Sequence, residues 1–491
     1  MRFNRVLLVS PPVVSRYGGL RIPAGVGYIA QALFDGGVDY EYVDMRIGYS
    51  FRYLRKRILD FRPDMIGFSL SSLGYKEAYR IISGVRKLLP SAAIVAGGHH
   101  VTVLKDRVLE ECPEIDVGVV ADGERTVIDL CRGDIPVRSV QGLLYRENGN
   151  VVFSGDRPVL MNLDELAFPR YHKFKLTNYS SQIPIHSSRG CMYACTFCPN
   201  RMIARIYRVR SIGNFVDEIE YWYSRGIRQF AIDDDNFTFQ RARVVEFCDE
   251  IERRGMKDLF LRCSNGVRAD RVDRELLQRM YDAGVKEIGF GVDGGNDRVL
   301  KLLKKGETLE TIENAVRNAC EIGMDVRLFF MIGTPRETLE DVEDSLRLAQ
   351  KYPVTKLNLN NPIPYPGTEM YDYIEEHKLF LIPPDVYLNS VAENRSVPVF
   401  ETPEIAAAER VKILKKCQQI EKDTIKKSVS RQLGRNVLIR FLMRNLFVVG
   451  LFERLFFNNL FFRNLFEKIR YKILIKARPC NRHLRSRAAE L

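Results

Sequence analysis

Short apolar runs recur through the first quarter of the chain, separated by stretches with an apolar residue at every third or fourth position. "RVLLVS" (5–10), "YEYVDM" (40–45), "MIGFSL" (65–70), "AAIVAGG" (92–98) and "DVGVV" (116–120) have the length and β-branched content of buried strands. Between them, "AGVGYIAQALFDGG" (24–37) and "GYKEAYRIISGVRKLL" (74–89) carry the helical period. The alternation predicts an α/β unit over residues 1–135 with a doubly wound, Rossmann-like parallel sheet. Such sheets take ligands at the carboxyl ends of their strands. There the chain places Ser69, Ser71 and Ser72, then Gly97-Gly98-His99-His100, then "ADGE" (121–124). Small and polar residues at these places serve tight turns equally well.

Residues 136–180 read as a linker containing a hairpin, "QGLLYRENGNVVF" (141–153), whose Asn-Gly supplies the turn. A second alternating unit fills 181–400. Its strands are "IPIHSS" (183–188), "QFAIDD" (229–234), "LFLRCS" (259–264), "EIGFGVD" (287–293), "VRLFFMIG" (326–333) and "KLNLNNPIP" (356–364). Six such repeats predict a partial (β/α)6 TIM-type barrel, with the chemistry in loops after the strands.

Residues 401–491 read as a helical, basic C-terminal region. Lys and Arg exceed Asp and Glu by 13 over the whole chain, and the 62 residues from Ser430 hold 14 Lys and Arg against 3 Glu. Basic character therefore belongs to the tail. "IRFLMRNLFVVGLFERLFFNNLFFRNLFEKIRYKIL" (439–474) is rich in Phe and Leu, but its apolar runs fall far short of the roughly 18 residues that span a bilayer. A bulky apolar face beside a basic one predicts a helix lying at a membrane surface. The alternatives are a terminal helix packed on the protein or a dimer contact. Phe at helical intervals beside Leu suits lipid better than base stacking, so no nucleic-acid partner is expected. The 491 residues are 46% hydrophobic and 28% charged, which excludes a disordered chain and calls for more than one domain. "MRFNRVLLVSPP" lacks a long apolar signal region, so a cytoplasmic setting with reduced thiols, peripheral at most to a membrane, is expected.

Three of the ten cysteines crowd into "HSSRGCMYACTFCPN" (186–200), as Cys191, Cys195 and Cys198 in the spacing C-x3-C-x2-C. The others stand singly and read as small core residues. A structural zinc site asks for four ligands, and no second knuckle or partnered histidine lies nearby. A disulfide would leave an odd thiol. An iron–sulfur cluster on three thiolates leaves one iron open to a small molecule, and the spacing favours this reading.

The segment resembles the signature of the radical S-adenosylmethionine superfamily. The resemblance implies a [4Fe-4S] cluster on Cys191, Cys195 and Cys198, with S-adenosylmethionine on the fourth iron. Reductive cleavage of that molecule yields a 5′-deoxyadenosyl radical, which abstracts hydrogen from an unactivated carbon. Phe197 corresponds to the aromatic residue against the adenine. "AIDDDNFT" (231–238) matches the family's polar patch after the second strand, which makes Asp233, Asp234 and Asp235 partners of the methionine amine. "SNGVRAD" (264–270) offers Asn265 and Arg268 for the cofactor's polar end. "GFGVDGG" (289–295) puts Asp293 where the family has Glu, as a ribose ligand of shorter reach. "FFMIGTPRET" (329–338) matches the fifth-strand segment flanking the adenine, with Gly333 in it, and "PYPGTEMY" (364–371) matches the segment after the sixth strand. The resemblance covers about residues 180–380. It identifies no radical-quenching residue. Cys263, Cys320 and Tyr365 are candidates by type alone.

The N-terminal unit is similar to the cobalamin-binding domain that precedes this barrel in one large subgroup. Ser71, Leu73, Gly97, Gly98 and His99 fall on its Ser-x-Leu and Gly-Gly patterns, where small residues allow close approach. "DMRIG" (44–48) has Arg46 where a cobalt-ligating histidine would stand. The architecture implies methylation of an unactivated carbon, and the basic, Phe-rich tail suggests a lipophilic substrate. The alternatives are an oxidative cyclase of the anaerobic porphyrin type and a non-catalytic, membrane-associated iron–sulfur or corrinoid carrier. A methylthiotransferase would need a second three-cysteine cluster, and only Cys112 and Cys131 lie in the first unit. The expected electron donor is a flavodoxin or ferredoxin.

Overall fold

The computed structural model describes residues 2–12, 20–204, 206–390 and 396–432. The tail segment 439–474, with its expected membrane contact, lies outside them, as does most of 401–491. Among the described residues no helix is long and apolar enough to cross a membrane.

The first sheet has seven strands. They are β1 (Arg5–Ser10), β2 (Asp39–Asp44), β3 (Met65–Ser69), β4 (Ala93–Gly97), β5 (Val117–Val119), β6 (Leu143–Glu147) and β7 (Asn150–Phe153), in the order β2-β1-β3-β4-β5-β6-β7. The first five are parallel, as the alternating pattern predicts. The hairpin β6–β7 adds to β5 antiparallel. Residues 136–180 are thus more than a linker. Asn148 and Gly149, both at positive φ, close a tight turn that lets the hairpin extend the sheet. Tyr171, Phe174 and Tyr179 are then buried in a core that runs from β1 into the second domain.

The second sheet has six parallel strands. They are β8 (Ile183–Ile185), then β11 (Gln229–Ile232), β12 (Phe260–Val267), β13 (Val285–Asp293), β14 (Asp325–Met331) and β15 (Lys356–Asn360). The order β15-β14-β13-β12-β11-β8 follows the chain, each parallel strand lying beside the previous one, which makes an open partial barrel. A short ribbon, β9 (Ser188–Arg189) with β10 (Arg208–Val209), lies outside both sheets. The long helix Ala407–Gln432 covers the free edge of β15, where Glu421 accepts the Leu359 N–H at 2.7 Å. Covering an edge removes a template for association.

Candidate active site

The three cysteines sit on a loop whose neck is the β9–β10 ribbon. Ser188 pairs with Val209 and Arg189 with Arg208. Gly190 turns the chain out of the ribbon at φ +94, and a Cβ there would stand 2.3 Å from the Ile206 carbonyl oxygen. Within the loop the Cys191 N–H donates to Ala204 O at 3.1 Å. The Thr196 N–H donates to Leu303 O at 3.1 Å, and Thr196 O accepts from the Met370 N–H at 3.0 Å. The loop is therefore tied to the barrel rim on two sides.

The acidic run after β11 divides its work. Asp235 bridges the loop: Oδ2 accepts the Gly190 N–H at 2.9 Å and Oδ1 the Asn200 amide at 2.6 Å. One carboxylate thus fixes both ends of the segment carrying the thiols. Asp234 is buried beneath the ribbon, accepting the Ser187 N–H at 2.7 Å and the Ser187 and Ser188 hydroxyls at 2.6 and 2.7 Å. Asp233 pairs with Arg21 at 3.1 Å, and its carbonyl accepts the Asn265 amide at 2.6 Å. Asn236 belongs to the same polar patch though the sequence does not single it out, and its amide is buried with neither polar atom hydrogen-bonded among the described residues. Such an orphaned group is the mark of a missing polar partner.

Burial pushes the Asp234 carboxyl up to about 6, against the pull of the Ser187 and Ser188 hydrogen bonds. The native state therefore holds this proton more tightly than an unfolded chain, where the carboxyl titrates near 3.8. Its stabilising contribution is complete below the unfolded value and is lost as pH rises through about 6. Urea midpoints compared across this window should show the parent protein losing stability relative to Asp234→Asn. A constant difference would refute the assignment.

Two cations stand behind the thiols. Lys305 Nζ is buried, 2.7 Å from Asp293 Oδ2 and 3.6 Å from Glu307. Arg268 is buried with Asp270 at 2.9 Å and the Gly306 carbonyl at 2.9 Å, and its guanidinium lies 3.7 Å from the Tyr193 ring centre. Burial raises all three thiols, Cys198 to about 11, while Lys305 and Arg268 draw Cys191 and Cys195 back down. These positive charges offset part of the cost of thiolates in a half-buried loop. Asp293 holds this lysine, and Arg268 ties the loop 305–307, so both are engaged with protein partners. Gly333, at φ +81, lies on the rim with its carbonyl accepting from Arg410 at 2.6 Å.

The carboxyl end of the first sheet's central strands faces this loop. Helix His99–Leu104 packs against helix Asn200–Ile203. His99 is exposed by area yet enclosed by protein atoms, as a side chain lining a cleft must be. Burial lowers its pKa, and the Asp235 carboxylate acts in the opposite sense. Gly98, at φ +101, would put a Cβ 2.7 Å from Leu70 O, so only glycine lets the β3 and β4 loops meet. Ser71 receives the Leu73 N–H at 3.2 Å. Leu73 and Phe197 join one apolar cluster with Tyr75, Met370 and Phe400. Gly97 ends β4 and Ser71 follows β3, just ahead of His99 and Leu73. Of the quencher candidates, Cys263 is buried in the barrel core and Cys320 packs against it, whereas Tyr365 lines the Leu73–Phe197 cluster. A cleft of about 380 Å³ lies elsewhere, between helices Ala24–Asp35 and Glu124–Arg132, lined mainly by charged side chains.

The residues fit the cofactors. Among the described residues no three His, Cys, Asp or Glu groups converge on one metal ion. A cubane asks instead for one thiolate on each of three irons, and three half-exposed thiols on one tied loop meet that need. The exposed Asn265 amide and the orphaned Asn236 amide offer polar contacts for an amino-acid end. At the first sheet, Arg46 is held by Asp44 at 2.6 and 2.8 Å and donates to Arg21 O at 3.2 Å. A guanidinium has no lone pair for cobalt, so a corrinoid here takes no nitrogen from position 46.

The family model of the Radical SAM superfamily matches residues 185–349, and that of the B12 binding domain matches residues 11–130. An uncharacterized methyltransferase of Pyrococcus horikoshii is 28% identical over 395 residues, 78% of this chain and 85% of that one. The anaerobic magnesium-protoporphyrin IX monomethyl ester cyclase of Cereibacter sphaeroides is 28% identical over 394 residues, 76% of this chain and 64% of the relative. Two solved structures share the fold. The radical S-adenosylmethionine methyltransferase TsrM of Kitasatospora setae, with tryptophan and a SAM analog, has a TM-score of 0.66 at 22% identity, covering 76% of each chain. The cobalamin-dependent radical enzyme OxsB, with aqua-cobalamin bound, has a TM-score of 0.68 at 17% identity, covering 99% of this chain and 81% of that one. The cofactor set of these two domains is a [4Fe-4S] cluster, S-adenosylmethionine and cobalamin. With thiol loop and strand ends meeting at one mouth, the chain is an enzyme that joins a B12-binding domain to a radical S-adenosylmethionine domain.

Proposed function

We propose that the enzyme methylates an unactivated carbon of a lipophilic small molecule. The observation that carries this reading is the meeting of the first sheet's carboxyl end with the cysteine loop, through helix His99–Leu104 packed on helix Asn200–Ile203 and through the apolar cluster against which both Leu73 and Phe197 pack. When bound, the cluster with S-adenosylmethionine supplies a 5′-deoxyadenosyl radical, and cobalamin supplies the methyl group. Cys191, Cys195 and Cys198 hold the cluster, with Lys305 and Arg268 as counter-charges. Asp235 keeps the loop in register, and Asp234 supports the ribbon from below. Asn236 and Asn265 bind the methionine end, Phe197 lies against the adenine, and Gly333 gives the flanking segment its left-handed turn. Ser71, Gly97 and Gly98 shape the corrinoid cradle. Leu73, Phe197, Met331, Ile363 and Tyr365 are partly buried and give the mouth an apolar wall, which supports a lipophilic substrate. A low-potential flavodoxin or ferredoxin supplies the electron.

Similarity to the anaerobic cyclase favours a second reading, oxidative cyclisation. Anaerobic turnover of reconstituted enzyme with candidate substrates separates the two. Methyl transfer yields 5′-deoxyadenosine and S-adenosylhomocysteine together, with a methylated product. 5′-Deoxyadenosine and a cyclised product without S-adenosylhomocysteine would overturn the methylation reading.

A further inference from the structure

Arg189 and Arg208 stand directly opposite each other on the β9–β10 ribbon. Like charges at directly opposed positions destabilise an antiparallel pair. This ribbon has only two residue pairs to set against that repulsion, and it closes the loop that carries all three clustered cysteines. The compensation comes from the other domain. Arg189 donates to Asp122 at 3.1 Å and to Glu124 at 2.7 Å, and Arg208 donates to the second oxygen of Asp122. These carboxylates belong to "ADGE", the segment after β5. Arg208 and Glu124 are almost fully buried, with side-chain exposures of 5% and 8%. The Arg189 guanidinium also lies 4.7 Å from the Tyr28 ring centre, on the first helix of the same domain. Burial alone would raise the Asp122 carboxyl, but the two guanidiniums outweigh it and hold it below the usual value.

We propose that Asp122 and Glu124 are positioning residues for the cysteine loop: the B12-binding domain neutralises the Arg189–Arg208 neck, and the loop is ordered only while that domain is docked. "ADGE" then serves the neighbouring domain, not a ligand of its own sheet. The design makes one domain's seating a condition for cluster binding in the other. Neither domain would need to move for the coupling to operate, since the two carboxylates set the energy of the neck directly.

The test is hydrogen exchange on the full-length chain without cofactors, so its outcome is independent of the methylation reading. In Asp122→Asn/Glu124→Gln, backbone amides of 188–198 and 204–209 should exchange at least tenfold faster, while those of β11 to β14 keep their rates. Iron retained after anaerobic reconstitution and desalting should fall several-fold. Adding Arg208→Gln removes one of the opposed charges and should restore much of the protection. A role in packing alone would not give that rescue. Unchanged exchange at the neck in the double variant would overturn the proposal, as would failure of Arg208→Gln to restore it. Should the double variant lose its fold, Asp122→Asn alone is read: an intermediate loss of protection supports the proposal, and none overturns it.

Discussion

Replacing any one of Cys191, Cys195 or Cys198 by alanine should leave a folded protein that retains little iron and cleaves no measurable S-adenosylmethionine. Each thiol is half-buried on a loop fixed at Gly190, Thr196 and Asn200, so alanine removes a ligand without disturbing the ties. Two thiolates leave a second iron without a protein ligand, and among the described residues no other cysteine lies on the loop. Cys263 is buried in the barrel core, and Cys320 packs against it from the helix Leu309–Ile322. The expected fall in 5′-deoxyadenosine formation is on the order of a thousandfold or more, about 4 kcal/mol of barrier. Iron content, the visible charge-transfer band and 5′-deoxyadenosine yield check it, with Cys320→Ala as the control that keeps its iron. A Cys195→Ala protein that binds iron and cleaves the cofactor as the parent does would remove the loop from the chemistry.

Gly190→Ala should be the most damaging single methyl group in the site. The backbone there sits at φ +94, where a side chain is strained by about 1–3 kcal/mol. The added carbon would also stand 2.3 Å from the Ile206 oxygen and 3.0 Å from the Ala204 oxygen. Both neighbours are backbone on the returning arm of the loop, so relief means opening the neck. Chemical denaturation should report a loss of about 3 kcal/mol or more, with cluster loading falling as well. Gly213→Ala is the matched control. It lies in the helix Ile212–Tyr223 with nothing within 4 Å of its added carbon, so it should be neutral or slightly stabilising. Equal behaviour of the two variants would contradict the neck geometry.

Both sheets were legible because their signal is local. Runs such as "RVLLVS" and "VRLFFMIG" carry strand length, β-branched content and flanking turns within a few residues, and all five parallel strands of the first sheet and all six of the second formed where those runs fall. The hairpin was legible as a hairpin but not as part of the first sheet, since its partner β5 lies beyond the reach of any short window. The cysteine triplet was legible through spacing. The duties within "DDD" were not. Three adjacent carboxylates look alike in sequence, and only the fold sends Asp234 under the ribbon, Asp235 to both ends of the loop and Asp233 to Arg21. The family resemblance points to Arg268 and Asp293 as cofactor contacts, and the sequence gives no sign of the protein partners that also engage them. Their partners, Lys305 and Gly306, come from a different loop, and no periodicity connects them. "ADGE" shows the same limit from the other side: its residues suit a ligand-binding strand end, while the guanidiniums that engage Asp122 lie 67 and 86 positions further along the chain.

The consecutive order of the second sheet has a consequence for how the molecule is made. Each of its strands pairs with the one formed just before it, so the sheet extends from one edge as the chain lengthens. Contacts that close long loops are different. Arg21 and Asp233 are 212 residues apart, and such closures bear the larger entropic cost. Synthesis proceeds from the amino end, and domains fold largely as units. The carboxylates at 122 and 124 are therefore synthesised ahead of the thiol loop whose neck they meet.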